Sequence, residues 1–164
     1  MSNEVISTFF EQEHDRLNKN INHYRDLLKS GKGAKAAKTF ADFKDLVCTH
    51  MEIEEETVFP FFEYDGFSPA GLTGRLRQEH EKIRALLRNV GENLEQGTYD
   101  VATEKFDQFV SMFVSHHDFE EKMIYPATDQ VISEQEKEDV FRKINKHLKQ
   151  NCQCCGINLG RDGN

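Results

Sequence analysis

The sequence repeats itself at an offset of 66 residues. The positions matched in the first copy are Glu13, His14, Gly31, Phe40, Phe43, His50, Glu54, Glu55 and Pro60, and in the second copy Glu79, His80, Gly97, Phe106, Phe109, His116, Glu120, Glu121 and Pro126. Because His and Glu occupy few positions in this chain, a chance recurrence of the whole set is rare. The repeat predicts two copies of one structural unit, each with a lone His followed by a His-x-x-x-Glu pair.

Apolar residues recur three and four positions apart, which is the period of an α-helix, and no segment alternates as a strand would. The predicted helices run from near Phe10 to Gly31, from near Ala36 to Pro60, from Ser68 and Pro69 to Gly97, from Thr98 to Pro126, and, as a shorter fifth helix, from Ser133 to about Gln150. Four long helices with short connections predict an all-α, antiparallel up-down-up-down four-helix bundle built from two repeated hairpins, followed by a short C-terminal helix.

Length and composition limit the number of domains, the classes of partner and the location of the protein. With 164 residues, the chain is expected to form one bundle domain over residues 1–150, followed by a Cys- and Gly-rich tail over residues 151–164. The formal net charge of −8 argues against nucleic acid or an anionic membrane as a partner. No apolar run approaches a membrane span and no signal peptide is recognised, so a cytoplasmic location is expected.

The four cysteines do not form the spread framework of a disulfide-stabilised protein. Cys152, Cys154 and Cys155 crowd into the tail, where they are either free thiols or a metal or redox cluster. Cys48 lies beside the second apolar stripe and is expected to be a small core residue. Structural disulfides are therefore not expected.

The polar residues of the repeat lie on the apolar stripes of the predicted helices. They are His14, His50, Glu54, His80, His116 and Glu120. A buried carboxylate costs several kcal/mol unless it is paired or bound to a metal. A rise of about 1.5 Å per residue also puts the four histidines at one level of the bundle. These six residues are therefore the predicted metal ligands, and a metal-free network of buried hydrogen bonds is the alternative.

Four imidazoles and two carboxylates are a donor set suited to iron, manganese or zinc. Two ions fit if each carboxylate bridges, and about one coordination position per ion then stays open; a mononuclear site is the alternative. His117 is turned by about 100° from His116 around the helix, so a surface or supporting role is expected for it. His23 and His147 are expected at the surface.

The sequence resembles the hemerythrin-like, or HHE cation-binding, family over about residues 10 to 127. The resemblance lies in His14, in the segment HMEIEEETVFP from His50 to Pro60, in His80, and in HHDFEEKMIYP from His116 to Pro126. It implies a four-helix bundle around a non-haem di-iron centre with an oxo or hydroxo bridge, in which Glu54 and Glu120 are bridging carboxylates. Relatives are associated with dioxygen, nitric oxide, peroxide or iron handling.

Two positions depart from the oxygen-carrying hemerythrins. Those proteins place a further His one turn after the third-helix ligand, where this chain has Arg84, and their last carboxylate falls five residues after its His. Here both Glu120 and Glu121 are available; the repeat favours Glu120 and leaves Glu121 and Glu55 as supporting or alternative ligands.

The pattern is closer to the metal domain of repair-of-iron-centres proteins, whose N-terminal double-cysteine domain is not found in this chain. Glu11 has ferritin-like spacing to His14, but Arg77 breaks that pattern in the second copy.

Three functions fit this pattern. The first is a binding protein, monomeric or homodimeric, whose di-iron centre takes up or senses dioxygen or nitric oxide, with Arg84 as a candidate to face the site. The second is an enzyme of oxidative or nitrosative stress that acts on peroxide or nitric oxide, or an iron-donating or iron-storing protein. The third is a structural zinc bundle. A sensory role would need a separate protein partner, which the sequence does not name.

Overall fold

The computed structural model describes residues 5–63 and 70–155, with side chains over residues 5–63 and 71–149. Within these residues the chain is helical and contains no strand. The helices are α1 (Ile6–Lys29), α2 (Gly33–Thr57), α3 (Phe59–Glu63), α4 (Ala70–Glu95), α5 (Tyr99–Phe119), α6 (Tyr125–Val131) and α7 (Glu134–Cys155), and one π-helical turn, Glu120–Ile124, joins α5 to α6. The all-α prediction is confirmed.

The two predicted glycine stops are confirmed and share one geometry. Gly31 and Gly97 follow α1 and α4 with φ of 73° and 74°, a conformation that glycine adopts without strain. In both turns the residue after the glycine donates its N–H to a carbonyl five residues back, Lys32 to Leu27 at 2.8 Å and Thr98 to Asn93 at 2.9 Å. The repeat in the sequence is therefore also a repeat in the backbone.

The two prolines were predicted to close their helices, but each lies at the start of a further short helix. Pro60 is the second residue of α3 and Pro126 the second residue of α6. Proline is tolerated there because the first N–H groups of a helix have no partner within it. At the C-terminal end, α7 continues to Cys155 instead of ending near Gln150. With 22 residues it is as long as α5, which has 21, so the prediction of a short C-terminal helix was wrong. The predicted cap at Ser68 and Pro69 lies outside the described residues, as do the side chains of Cys152, Cys154 and Cys155.

The four long helices form a closed ring of neighbours around the core. Helix α1 packs against α2 and α5, and α4 packs against the same two helices. The buried apolar residues fall into two clusters, one that includes Leu17, Val47, Ile83 and Phe113, and one that includes Phe10, Ile53, Leu76 and Ile124. Along each long helix the polar residues of the repeat lie between the two clusters. None of the helices in the described ranges is long and apolar enough to cross a membrane.

The aromatic cluster in the first of these cores dominates the packing, and Phe109 is fully buried within it. We expect Phe109→Ala to lower the free energy of unfolding of the metal-free protein by about 3–5 kcal/mol, because the cavity cannot collapse fully. Val114→Ala is the control: Val114 lies on the same helix but is 51% exposed, so its loss should change the value by less than about 0.5 kcal/mol. Urea denaturation measures both, and equal losses would contradict this description of the core.

Candidate metal centre

The six polar residues of the repeat converge in the interior. His14 lies on α1, His50 and Glu54 on α2, His80 on α4, His116 on α5, and Glu120 begins the π-helical turn. None of them is more than 3% exposed, and both carboxylates are fully buried. Each of the four long helices therefore contributes a histidine to one buried centre.

The four imidazoles form two pairs, each with one His from a first helix and one from a second helix of the repeat. Nε2 of His14 lies 3.2 Å from Nε2 of His50, and Nε2 of His80 lies 2.9 Å from Nε2 of His116. We call these the first and the second histidine pair. The two pairs correspond to each other at the offset of the internal repeat.

The two buried carboxylates lie between the histidine pairs. Glu54 places Oε1 3.3 Å from Nε2 of His50 and Oε2 3.4 Å from Nε2 of His80. Glu120 places Oε1 3.0 Å from Nε2 of His116 and Oε2 3.9 Å from Nε2 of His14. Each carboxylate thus presents one oxygen to each pair, which is the arrangement of a bridging ligand.

Carboxylates behind three of the imidazoles fix which ring nitrogen faces the centre. Nδ1 of His14 lies 2.7 Å from Glu121, and Nδ1 of His80 lies 2.7 Å from Glu55. Because an ionised carboxylate only accepts hydrogen bonds, these Nδ1 atoms donate, and Nε2 of each ring faces the centre. Glu55 and Glu121 are equivalent in the repeat, and each crosses to the other half of the chain.

His116 and Arg84 complete this outer layer. Nδ1 of His116 lies 2.8 Å from Glu79. Arg84 was a candidate to face the site. Its guanidinium instead donates a hydrogen bond of 3.1 Å to Glu55, the carboxylate that contacts Nδ1 of His80. Its charge therefore acts on the acceptor of a histidine and not on the centre itself.

The imidazoles of the centre differ in charge when no cation is bound. Burial and, after it, neighbouring His50 lower the pKa of His14 to about 3, so this ring is neutral. Burial also acts against a charged His116, but Glu120 and Glu54 raise its pKa to about 9, so this ring carries a second proton. Burial and the charge of Glu54 raise the pKa of Glu120. Oε2 of Glu54 and Oε1 of Glu120 are buried and have no hydrogen-bond partner among the described residues. Lone pairs that face one another in a buried space are stabilised by positive charge placed between them.

The distances fit bound cations. Ligand atoms about 2.1 Å from one ion and at right angles to each other lie about 3 Å apart. The spacing within the two histidine pairs, and from each pair to its nearest carboxylate oxygen, is 2.9 to 3.4 Å. Two groups of donors each have their ligand atoms within 4.8 Å of one another. The first group is His14, His50, His117 and Glu120, and the second is Glu54, His80, His116 and Glu120. The residues present therefore fit bound cations.

His117 lies closer to the centre than a surface residue would. It is 4% exposed, and its ring stacks on that of His14 with centroids 3.5 Å apart and planes 2° from parallel. Within residues 5–63 and 71–149, neither of its nitrogens has a hydrogen-bond partner. The signal for its burial is the repeat, because the equivalent residue is the fully buried Met51. Of the two roles expected for His117, at the surface or in support of the site, its position agrees with the supporting role.

Tyr125 is the residue at the centre that sequence reasoning missed. Its hydroxyl lies 3.0 Å from Nε2 of His14 and 3.3 Å from Oε2 of Glu120, and it donates to Oε1 of Glu54. Burial and the two carboxylates raise the pKa of this phenol well above its usual value, so it is protonated in the metal-free protein. The repeat again offered a signal, because it aligns Tyr125 with Phe59. The hydroxyl group is the difference between these two residues.

The remaining candidates lie away from the centre. Glu11 and His23 are exposed. His147 is partly buried, and its Nε2 lies 2.8 Å from a carboxylate oxygen of Glu56 on α2, so it joins α7 to α2 instead of lying free on the surface. Cys48 is a partly buried free thiol packed against the core, and burial raises its pKa.

The contact between His14 and Glu121 makes a prediction for metal affinity. Glu121→Ala removes the acceptor that orients the His14 ring, and such losses weaken metal binding about 10- to 100-fold. Asp118→Ala is the matched control, because Asp118 is an exposed acid near Glu121 whose partner is Lys122. Competition with a chromophoric chelator measures the affinities. Equal affinities of the two variants would show that Glu121 does not support the ligand.

Comparison with known proteins agrees with this geometry. A family model described as Hemerythrin HHE cation binding domain matches residues 5–128 and matches again over residues 71–154. The two matches begin 66 residues apart, which is the offset of the internal repeat. Comparisons with curated proteins and with solved structures gave no match. Since the first match alone covers well over half of the chain and the donors of a cation site lie within it, the chain belongs to the hemerythrin HHE cation-binding domain family.

Proposed function

We propose that the protein holds two iron ions, one at each histidine pair, and that the loaded centre reversibly binds dioxygen or nitric oxide. His14 and His50 would hold one ion, His80 and His116 the other, and Glu54 and Glu120 would bridge them. The observation that carries the proposal is the placement of the bridging carboxylates, each with one oxygen toward each pair. We also propose that the four long helices run antiparallel in the order up, down, up, down.

The donor set supports iron over harder or softer metals. Neutral imidazoles with carboxylates suit iron, manganese and zinc, whereas calcium and magnesium prefer oxygen ligands alone and thiolate-loving ions prefer sulfur. Within the family, an iron pair with open positions supplies reversible binding of small ligands. Iron is therefore proposed as the resident metal, with manganese or zinc as the alternatives that elemental analysis distinguishes.

The protein surroundings support a ligand of diatomic size. Phe59 stacks on His80 with centroids 5.4 Å apart, and Phe113 lies against His50 and His117. These rings, with the apolar clusters on either side of the centre, surround it with nonpolar side chains, which favour a small uncharged ligand over water. The outer carboxylates orient the imidazoles.

Absorption spectroscopy tests the proposal. The protein is loaded with iron(II) without oxygen, and spectra are recorded before and after addition of dioxygen, nitric oxide or peroxide. We expect new charge-transfer bands with dioxygen or nitric oxide that disappear when the gas is removed. Absence of any spectral change in protein that holds two irons would contradict the proposal, and a colourless, zinc-loaded protein would favour a structural role.

One observation favours a second function, the donation of iron. The position at which oxygen carriers have a further His is Arg84, whose guanidinium contacts Glu55 and Glu81, so this position supplies no ligand. An ion with fewer protein ligands dissociates more readily. Fast transfer of iron to a chelator, without reversible gas binding, would favour donation; slow transfer with reversible gas binding would exclude it.

A further inference from the structure

The Tyr125 hydroxyl is surrounded by three atoms that accept hydrogen bonds. They are Nε2 of His14 at 3.0 Å, Oε2 of Glu120 at 3.3 Å, and Oε1 of Glu54. Nε2 of His14 is an acceptor because the Nδ1 proton of that ring is used by Glu121. The whole tyrosine is buried, with 0% exposure, so no bulk water compensates these contacts.

One hydroxyl proton cannot satisfy three acceptors. A phenol donates a single hydrogen bond, and here Glu54 receives it. The phenol oxygen then directs its own lone pairs toward an imidazole lone pair and a carboxylate, in a buried space. Such a set of lone pairs is repulsive unless positive charge lies among them. The hydroxyl is thus arranged as a further donor atom to a cation, at the spacing found between the other donors of the first histidine pair.

The internal repeat isolates the hydroxyl as the feature to be explained. The residue equivalent to Tyr125 is Phe59, which is fully buried and stacks on His80. An aromatic ring at this place therefore needs no hydroxyl for packing. The ring of Tyr125 is fixed by Phe10, with centroids 4.7 Å apart and planes 12° from parallel, which directs the hydroxyl at the first histidine pair.

His117 is a weaker candidate for an additional ligand. Its nitrogens lie near those of His14 and His50 and have no hydrogen-bond partner in the part of the chain that the structure describes. Its ring, however, is parallel to that of His14 and 3.5 Å from it, whereas two imidazoles bound side by side to one ion point toward it along different directions. His117 would have to leave this stack to bind, and Tyr125 needs no such movement.

We propose that the phenolate oxygen of Tyr125 is a ligand of the ion held by His14 and His50. This inference rests on the metal centre proposed above. The O–H bond is replaced by an oxygen–metal bond, the proton leaves to solvent, and no electron is transferred. The two ions are then inequivalent, because Phe59 provides no matching donor at the second histidine pair.

Resonance Raman spectroscopy of the iron-loaded, ferricyanide-oxidised protein tests this inference. A phenolate bound to iron(III) produces a visible charge-transfer band, and excitation in that band enhances the ring vibrations of the bound tyrosinate. We expect both features in the wild-type protein and their loss in Tyr125→Phe, which Phe59 shows to be compatible with the fold. Tyr24→Phe is the matched control: Tyr24 is buried, bonds to Thr39, and lies ten residues from His14 on α1, so this variant should retain both features.

Elemental analysis of the same samples separates the two proposals. Two irons per chain in wild-type protein without tyrosinate vibrations would overturn the role of Tyr125 and leave the metal centre intact. Wild-type protein that binds no iron would overturn both. The wild-type spectrum decides the question even where Tyr125→Phe fails to fold, because a hydroxyl that only donates to Glu54 gives no tyrosinate band.

Discussion

Replacing Glu54 with Gln should remove both metal ions. Glu54 presents one oxygen to each histidine pair, and no described residue forms a hydrogen bond with Oε2. An amide has nearly the same shape but lacks the charge and one of the two oxygen donors, so neither ion keeps its bridge. We expect the iron content to fall from two per chain to near zero, as measured by elemental analysis after loading and gel filtration.

Glu52→Gln is the control for this substitution. Glu52 lies two residues before Glu54 on the same helix, but its side chain is exposed. It removes the same charge from the chain without touching the centre, so the iron content should stay at two. An iron content of two in Glu54→Gln would refute the assignment of Glu54 as a bridging ligand.

Removal of the metal should lower the melting temperature substantially. A ligand at 100 times its dissociation constant stabilises the folded state by about 2.7 kcal/mol per site. For a domain of this size, 1 kcal/mol shifts the melting temperature by roughly 2–4 °C. Chelation of two ions should therefore lower the transition by about 10–20 °C in differential scanning calorimetry.

Glu54→Gln also controls the chelation experiment. Since that variant is expected to hold no iron, addition of the chelator should leave its melting temperature unchanged. A chelator that removes iron from the wild-type protein without changing its melting temperature would show that the ions do not stabilise the bundle.

Helix periodicity was sufficient to place the six polar residues of the repeat in the interior. His14, His50 and their equivalents lie on apolar stripes, and in a helix each stripe faces the core. The ends of α1 and α4 near Gly31 and Gly97 could also be predicted from the local sequence, because a positive φ after a helix favours glycine. The fold class and the level of the four histidines therefore followed from the sequence.

The rest depends on contacts between helices that no local pattern encodes. The exchange of partners, in which Glu121 supports His14 and Glu55 supports His80, joins residues from opposite halves of the chain. Tyr125 and His117 align with apolar residues in the other copy, so the repeat indicates that both are buried but not which atoms their polar groups contact.

The π-helical turn had no signal in the sequence, and it affects the choice between Glu120 and Glu121 as ligands. Glu120, at its first residue, faces the centre, whereas Glu121 contacts Nδ1 of His14. Both acids that the sequence offered at this point are therefore used, in different positions. The repeat had favoured Glu120 as the ligand, and that assignment stays a proposal.

Anomalous diffraction at the iron edge, from crystals of the iron-loaded protein, locates the two proposed ions. We expect two peaks, one within about 2.2 Å of Nε2 of both His14 and His50 and one equally close to Nε2 of His80 and His116, with Glu54 and Glu120 between them. A bundle without an anomalous peak among these side chains, or with iron bound only elsewhere on the protein, would contradict the proposal.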